Sequence, residues 1–321
     1  MRITNSMLVN SFLSDMKTNL NNMKSIQSKI TSGKEISKPS DDPFKVARSM
    51  QLNSAINANK QYNQNIKDIG NYLDVTDTAL NQAENVLQRV RELLVAAGNG
   101  AYGTEEKTAI KNEIRQKLAE LSQCMNTNFD GSYVFGGSRG TDKPLNDDCS
   151  YYMPVGATEP NVEINKIKTK LSVEISPGVE MDYNVSASDV MEFTNENGNS
   201  ISVKDLLGQI VNHLDGRTDD GTPGNTDSVS DIVGKDLQGI TDSINNLLKV
   251  RSQVGANQNR MESAEAKNED ENYNLTDILS SIEDIDITEK IMEYSTMQTV
   301  YMASLQTSAK VIQPSLLDYL R

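Results

Sequence analysis

Few residues in this chain are of types that make or break bonds, and their spacing argues against a catalytic centre. Histidine, the usual general base and zinc ligand near neutral pH, occurs once, as His213 in Val211-Asn212-His213-Leu214. A metal-dependent hydrolase needs two histidines at helical spacing plus a carboxylate, and no such pair can be formed. Cys124 and Cys149 have neither a disulfide-framework nor a metal-ligand spacing, and no histidine lies close in sequence to activate either thiol. The expectation is two free thiols, a helix-end His213, no metal, no cofactor and no enzymatic activity. With 31 basic against 45 acidic residues, a basic face for phosphates is missing, so nucleic acid is not expected as a partner. No run of about eighteen apolar residues exists to span a membrane, and Met1-Arg2-Ile3-Thr4-Asn5-Ser6 lacks the charged-then-apolar layout of a cleaved export signal.

What remains is periodicity. Hydrophobic residues make up 36% of 321 positions, with no Trp and 5 Phe, a lean composition that suits elongated helices better than one compact core. The predicted fold is mainly α with a β-rich insertion: paired terminal coiled-coil helices, a long antiparallel helical rod and a small mid-chain β domain. Charge is uneven along the chain. Residues 1–65 carry net +5, residues 262–293 net −9 and residues 131–234 net −10. The middle reads as a solvated surface, and the two ends attract.

In chain order, Val9, Leu13, Met16, Leu20, Met23 and Ile30 fall on a heptad seam, with Gln27 its polar position. Gly33 suits a left-handed helix end, Lys38-Pro39 holds the chain extended, and Asp41-Asp42-Pro43 reads as an N-cap with proline in the first helical turn. From Pro43, an unbroken three-four alternation runs through Ile66, Ile69, Leu73, Thr76, Leu80, Ala83, Leu87, Val90 and Leu94. After a glycine-rich turn at 98–103, Ile110, Ile114, Leu118, Leu121 and Met125 line a third helix, which Asp130-Gly131 is expected to close, with Cys124 packed beside its buried face. Alternation at Val162-Glu163-Ile164, 171–175 and 181–185 predicts strands. A short helix is expected over 203–214 and a loop over 215–228.

The last long helix, starting near 229–230, carries one heptad frame through Ile240, Ile244, Leu247, Arg251, Val254, Gln258, Met261, Glu265, Asn268, Asn272, Leu275, Leu279 and Ile282. The next apolar seam residue, Ile287, is five positions on, so the frame is lost. Asp286 stands three residues before Glu289, as at a helix start. A hinge is therefore placed at Glu283, Asp284 and Asp286, followed by a helix with Ile287, Ile291, Tyr294, Tyr301, Leu305 and Ile312 on one stripe and an apolar end including Leu316 and Leu317. The divisions are 1–42, a terminal helix and connector; 43–131 and 229–286, the rod; 132–228, the insertion; and 287–321, the second terminal helix. Two helices cannot bury stripes on several faces, so the seam residues of both ends are the expected assembly interface.

This layout resembles the flagellin superfamily. The resemblance rests on Met1-Arg2-Ile3-Thr4-Asn5-Ser6-Met7, on the stretch from Ile30 to Pro43, on Tyr133-Val134-Phe135-Gly136-Gly137, on the stretch from Val254 to Glu262, and on Ser315-Leu316-Leu317-Asp318-Tyr319-Leu320. It spans roughly residues 1–137 and 230–321. The Phe135-Gly136-Gly137 and Leu316–Leu320 segments are most similar to the family of hook–filament junction proteins. That resemblance implies an extracellular structural subunit, exported unfolded without a cleaved signal and self-associating in an annular layer. Its expected partners are a hook-side junction protein, flagellin and a flagellar secretion chaperone. The competing expectations are a filament flagellin or a cytosolic coiled-coil adaptor.

Overall fold

The computed structural model describes residues 5–36, 38–98, 103–154, 159–195, 198–219 and 232–312. Its elements are α1 (Asn5–Ser32), α2 (Pro43–Ala97), α3 (Thr104–Met125), β1 (Asn128–Phe129), β2 (Ser132–Tyr133), α4 (Pro160–Lys168), β3 (Ser172–Ser176), β4 (Val179–Asp182), α5 (Ala187–Met191), β5 (Glu192–Thr194), β6 (Ser200–Ser202) and α6 (Val203–Leu214). A π-helical turn, Ile232–Asp236, leads into α7 (Leu237–Glu283), which is followed by α8 (Ile287–Ile312). The fold is mainly α, and among the described residues its β structure consists of three antiparallel strand pairs, β1–β2, β3–β4 and β5–β6. The chain forms two compact units, residues 1–60 with 270–321, and residues 61–269.

In the unit formed by residues 61–269, every position of the three-four stripe from Ile66 to Leu94 is buried. The facing residues of α7, Ile240, Ile244, Leu247, Val254 and Met261, are buried too. Arg251 occupies a polar position of that seam and neutralises α2: its Nε lies 3.0 Å from Asp77 and its Nη1 2.6 Å from Glu84. Gln258 donates to Asp74 at 2.8 Å and Lys67 approaches Glu265 at 3.4 Å, so the two helices run antiparallel. Residues rising in number on one helix meet residues falling on the other.

The insertion departs from its reading in two places. Val162-Glu163-Ile164 lies in helix α4 and not in a strand. Pro160 stands in its first turn, Glu163 sits near the positive helix end, and Lys166 and Lys168 sit near the negative end, a local pattern that outweighs three alternating residues. Asp130-Gly131 does not close α3, which ends at Met125. Both residues have positive φ, 50° and 79°, and form the two-residue turn of the β1–β2 hairpin, the twist-compatible turn for which Asp-Gly is suited. The helix over 203–214 is present; of the expected strands, 171–175 is found one residue later at 172–176, whereas 181–185 is strand only at Met181 and Asp182, the end of a strand that begins at Val179. The glycine-rich turn falls largely outside the described residues, as do most of the 215–228 loop and the start of the last long helix at 229–230.

Phe135-Gly136-Gly137 has a steric reason. Phe135 is fully buried and its carbonyl accepts from Ala187 N at 3.0 Å, drawing the chain across the insertion. A Cβ on Gly136 would meet Arg139 O at 2.5 Å. One on Gly137, where φ is +59°, would meet Ile167 O at 2.3 Å. Only glycine fits both, because a left-handed φ and backbone contact act together at Gly137. Gly137→Ala is expected to destabilise the 61–269 unit by about 2 kcal/mol or more, read as a lowered denaturant midpoint.

Candidate assembly site

The two helix ends near 33 and 283 are joined by backbone pairing. Gly33 adopts φ +71° and donates to Lys29 O at 2.8 Å, ending α1 with the left-handed turn expected of it. Lys34 and Asp284 then form an antiparallel bridge, with Glu35 N donating to Glu283 O at 2.6 Å and Ile285 N to Gly33 O at 3.2 Å. Side chains reinforce this clasp. Lys34 Nζ pairs with the Glu283 carboxylate, which also accepts from Ser49 Oγ. Glu35 lies 2.6 Å from Lys29 and 3.9 Å from Lys290. The attraction expected between a basic N-terminal segment and an acidic C-terminal one is thus expressed at Lys34–Glu283.

The connector and the helix break are both capped. Asp41 accepts from Lys38 N at 3.0 Å, closing the turn that contains Pro39. Asp42 Oδ1 accepts from Phe44 N and Lys45 N at 3.1 Å, while Pro43 occupies the first turn of α2, where its lack of an N–H is harmless. Asp286 Oδ1 accepts from Thr288 N at 2.8 Å and Glu289 N at 3.2 Å, so α8 begins where the heptad frame slips.

Beyond the clasp, α1 and α8 pack together. Val9, Met16, Met23 and Ile30 are half-buried in their seam, as are Tyr294 and Tyr301. Leu13 and Leu20, placed on the same seam by the sequence, are exposed, and the seam instead takes Phe12, Asn19 and Ile26, with Ile26 buried. The spacing 9-12-16-19-23-26-30 was available in the sequence, but Asn19 makes it less apolar than the track through Leu13 and Leu20. On α8, Met297 joins the seam whereas Ile287, Ile291 and Leu305 are exposed, together with Met302. At about 100° per residue these four form a stripe beside the seam. The Ile312 side chain, Leu316 and Leu317 lie outside the described residues.

Elsewhere, the reactive types are committed to structure. Burial raises both thiols, Cys149 to about 12, so neither is a thiolate near neutral pH. His213 is not an ordinary helix-end residue: it is buried between Asp236, 2.7 Å from Nδ1, and Asp219, 2.6 Å from Nε2. Its partners lie 6 and 23 residues along the chain, on elements that only the folded chain brings to it. Among the described residues no helix is long and apolar enough to cross a membrane.

The bacterial flagellin N-terminal helical region matches residues 3–139 and the bacterial flagellin C-terminal helical region matches residues 237–320. The chain belongs to the bacterial flagellin family. It is 22% identical to flagellar hook-associated protein 3 of Escherichia coli over 276 residues, 86% of each chain. It is 26% identical to a flagellin of Clostridium tyrobutyricum over 356 residues, covering 92% of this chain and 94% of the relative. The crystal structure of flagellar hook-associated protein 3 from Legionella pneumophila shares the fold at a TM-score of 0.58 and 16% identity, covering 73% of this chain and 98% of the other.

Lys34 holds the Glu283 carboxyl below its ordinary value of 4.5, assisted by Ser49, and Glu283 in turn raises Lys34. The depressed carboxylate contributes stability that is fully present above the ordinary value and lost as pH falls through the lowered one. Amide exchange protection at Glu35 and Ile285 is therefore expected to fall on acidification below about pH 4.5, and Glu283→Gln is expected to remove much of that dependence.

Proposed function

We propose that this chain is a structural subunit of the hook–filament junction of the bacterial flagellum, forming an annular layer between a hook-side junction protein and the first flagellins. The observation carrying this reading is the apolar stripe left exposed on both terminal helices, Leu13 and Leu20 on α1 and Ile287, Ile291, Met302 and Leu305 on α8. Fully burying a Leu, Ile or Met side chain is worth roughly 1.5–3 kcal/mol, so these six supply a driving force for association once neighbours cover them. No chemistry is asked of the subunit beyond assembly.

The junction role, and not a filament role, is supported by the hook-associated relative from Escherichia coli and by the resemblance of Phe135-Gly136-Gly137 to the junction proteins. In this reading the protein is extracellular, reaches the joint through the flagellar export channel without a cleaved signal, and is escorted by a secretion chaperone that covers the α8 stripe. The helix break at 283–286 and the connector at 33–42, which contains Pro39, Asp41 and Asp42, supply the compliance between two tubular lattices in this reading. The flagellin relative from Clostridium tyrobutyricum supports a filament role as the second reading.

Immunogold labelling of intact flagella tests the assignment. Label confined to the joint beyond the hook is expected. Label along the whole filament would make the chain a filament flagellin, and label only in the cytosol would exclude both readings.

A further inference from the structure

The chain's single histidine sits where three elements meet. His213 is in the last turn of α6, Asp219 in the turn after that helix, and Asp236 at the end of the π-helical turn that leads into α7. Both ring nitrogens face carboxylate oxygens, at 2.7 and 2.6 Å, and the ring is only 2% exposed. A neutral imidazole donates from one nitrogen only. Two carboxylate acceptors are satisfied together when the ring carries both protons. Asp219 reaches solvent and Asp236 lies against the other nitrogen in the interior, so an imidazolium that turns one N–H toward each carboxylate satisfies both contacts.

We propose that His213 is a proton-operated lock that fastens the turn after α6 and the π-helical turn before α7 to one imidazolium. The ion pair with Asp236 is buried on both sides, whereas the pair with Asp219 reaches solvent. Other charges facing the cluster are Lys235, 4.0 Å from Asp219 Oδ2, and Lys111 of α3, which pairs with Asp215 at 2.6 Å. Asn212 Nδ2 also donates to the Asp219 carbonyl at 3.4 Å. The two lysines favour the carboxylates and oppose the imidazolium, and neither touches the ring.

Removing one proton from the ring leaves a lone pair facing a carboxylate. The fastening at one nitrogen then becomes repulsive, and the solvent-exposed Asp219 side is the one that parts. Burial works against the charged ring, but Asp236 and Asp219 outweigh it and raise the His213 value above the ordinary 6.5. A raised value in the folded state gives stability that is fully present below 6.5 and is lost as pH rises through the folded value. The lock therefore holds below pH 6.5 and opens as pH rises through the raised folded value.

With one histidine, imidazole NMR of the full chain needs no assignment. Both ring nitrogens are expected to be protonated below pH 6.5, with a titration midpoint above that value. Asp219→Asn, which leaves the buried pair intact, is expected to lower that midpoint by on the order of one unit. Amide exchange over 215–219 and 232–236, corrected for base catalysis, is expected to lose protection across the same titration in the natural chain and to show no such step in His213→Gln. A midpoint at or below 6.5, a midpoint indifferent to Asp219→Asn, or an unchanged exchange profile in His213→Gln would each overturn the proposal.

Discussion

The terminal helix pair depends on a short piece of backbone pairing, the bridge between Lys34 and Asp284 with its flanking hydrogen bonds. Helix ends leave unsatisfied carbonyls and amides, and here two interrupted helices meet some of each other's needs: Gly33 O accepts from Ile285 and Glu283 O from Glu35. Because these bonds join residues from distant parts of the chain, Gly33 with Ile285 and Glu35 with Glu283, they set the register between α1 and α8. Ion pairs at surface sites contribute little alone, so Lys34–Glu283 is better seen as selecting that register than as supplying most of its stability.

From that register follows the apolar surface. Once α1 and α8 meet along Val9, Phe12, Met16, Met23, Ile26 and Ile30 on one side and Tyr294, Met297 and Tyr301 on the other, the remaining apolar residues cannot turn inward. Two cylinders bury one stripe each, and these helices carry more than one. The residual stripe is a defect in an isolated molecule and a requirement in an assembling one. In the 61–269 unit the opposite holds, since the stripe from Ile66 to Leu94 is buried throughout and charged seam positions such as Arg251 have partners on α2. The contrast leaves the exposed apolar stripes on the terminal helices and the continuous buried stripe in the 61–269 unit.

Most of the helical architecture was legible because its signals are local and repeated. Nine consecutive stripe positions of α2 agree, the slip from Ile282 to Ile287 marks where α7 gives way to α8, and Asp42 and Asp286 both cap helices as their neighbours imply. Short segments were less legible. Three alternating residues at 162–164 cannot distinguish a strand from one helical turn, and the Pro160 start and charged ends of α4 decide it. The seam of α1 was assigned to Leu13 and Leu20 because hydrophobicity was counted without the partner helix, whose position selects Phe12 and Ile26 instead. The setting of His213 is not legible locally, because its two carboxylates arrive from separate elements and no spacing announces them.

Assembly through the terminal helices requires that the stripe beside the α1–α8 seam be covered in the assembled flagellum. Oxidative footprinting of Met302, which is exposed in the isolated chain, tests it directly. The rate of sulfoxide formation at Met302 is expected to fall at least about tenfold in intact flagella relative to the soluble subunit, the loss of exposure that close packing imposes. Equal rates in the two states would show that this face stays in water, and the assembly role assigned to the terminal helices would be contradicted.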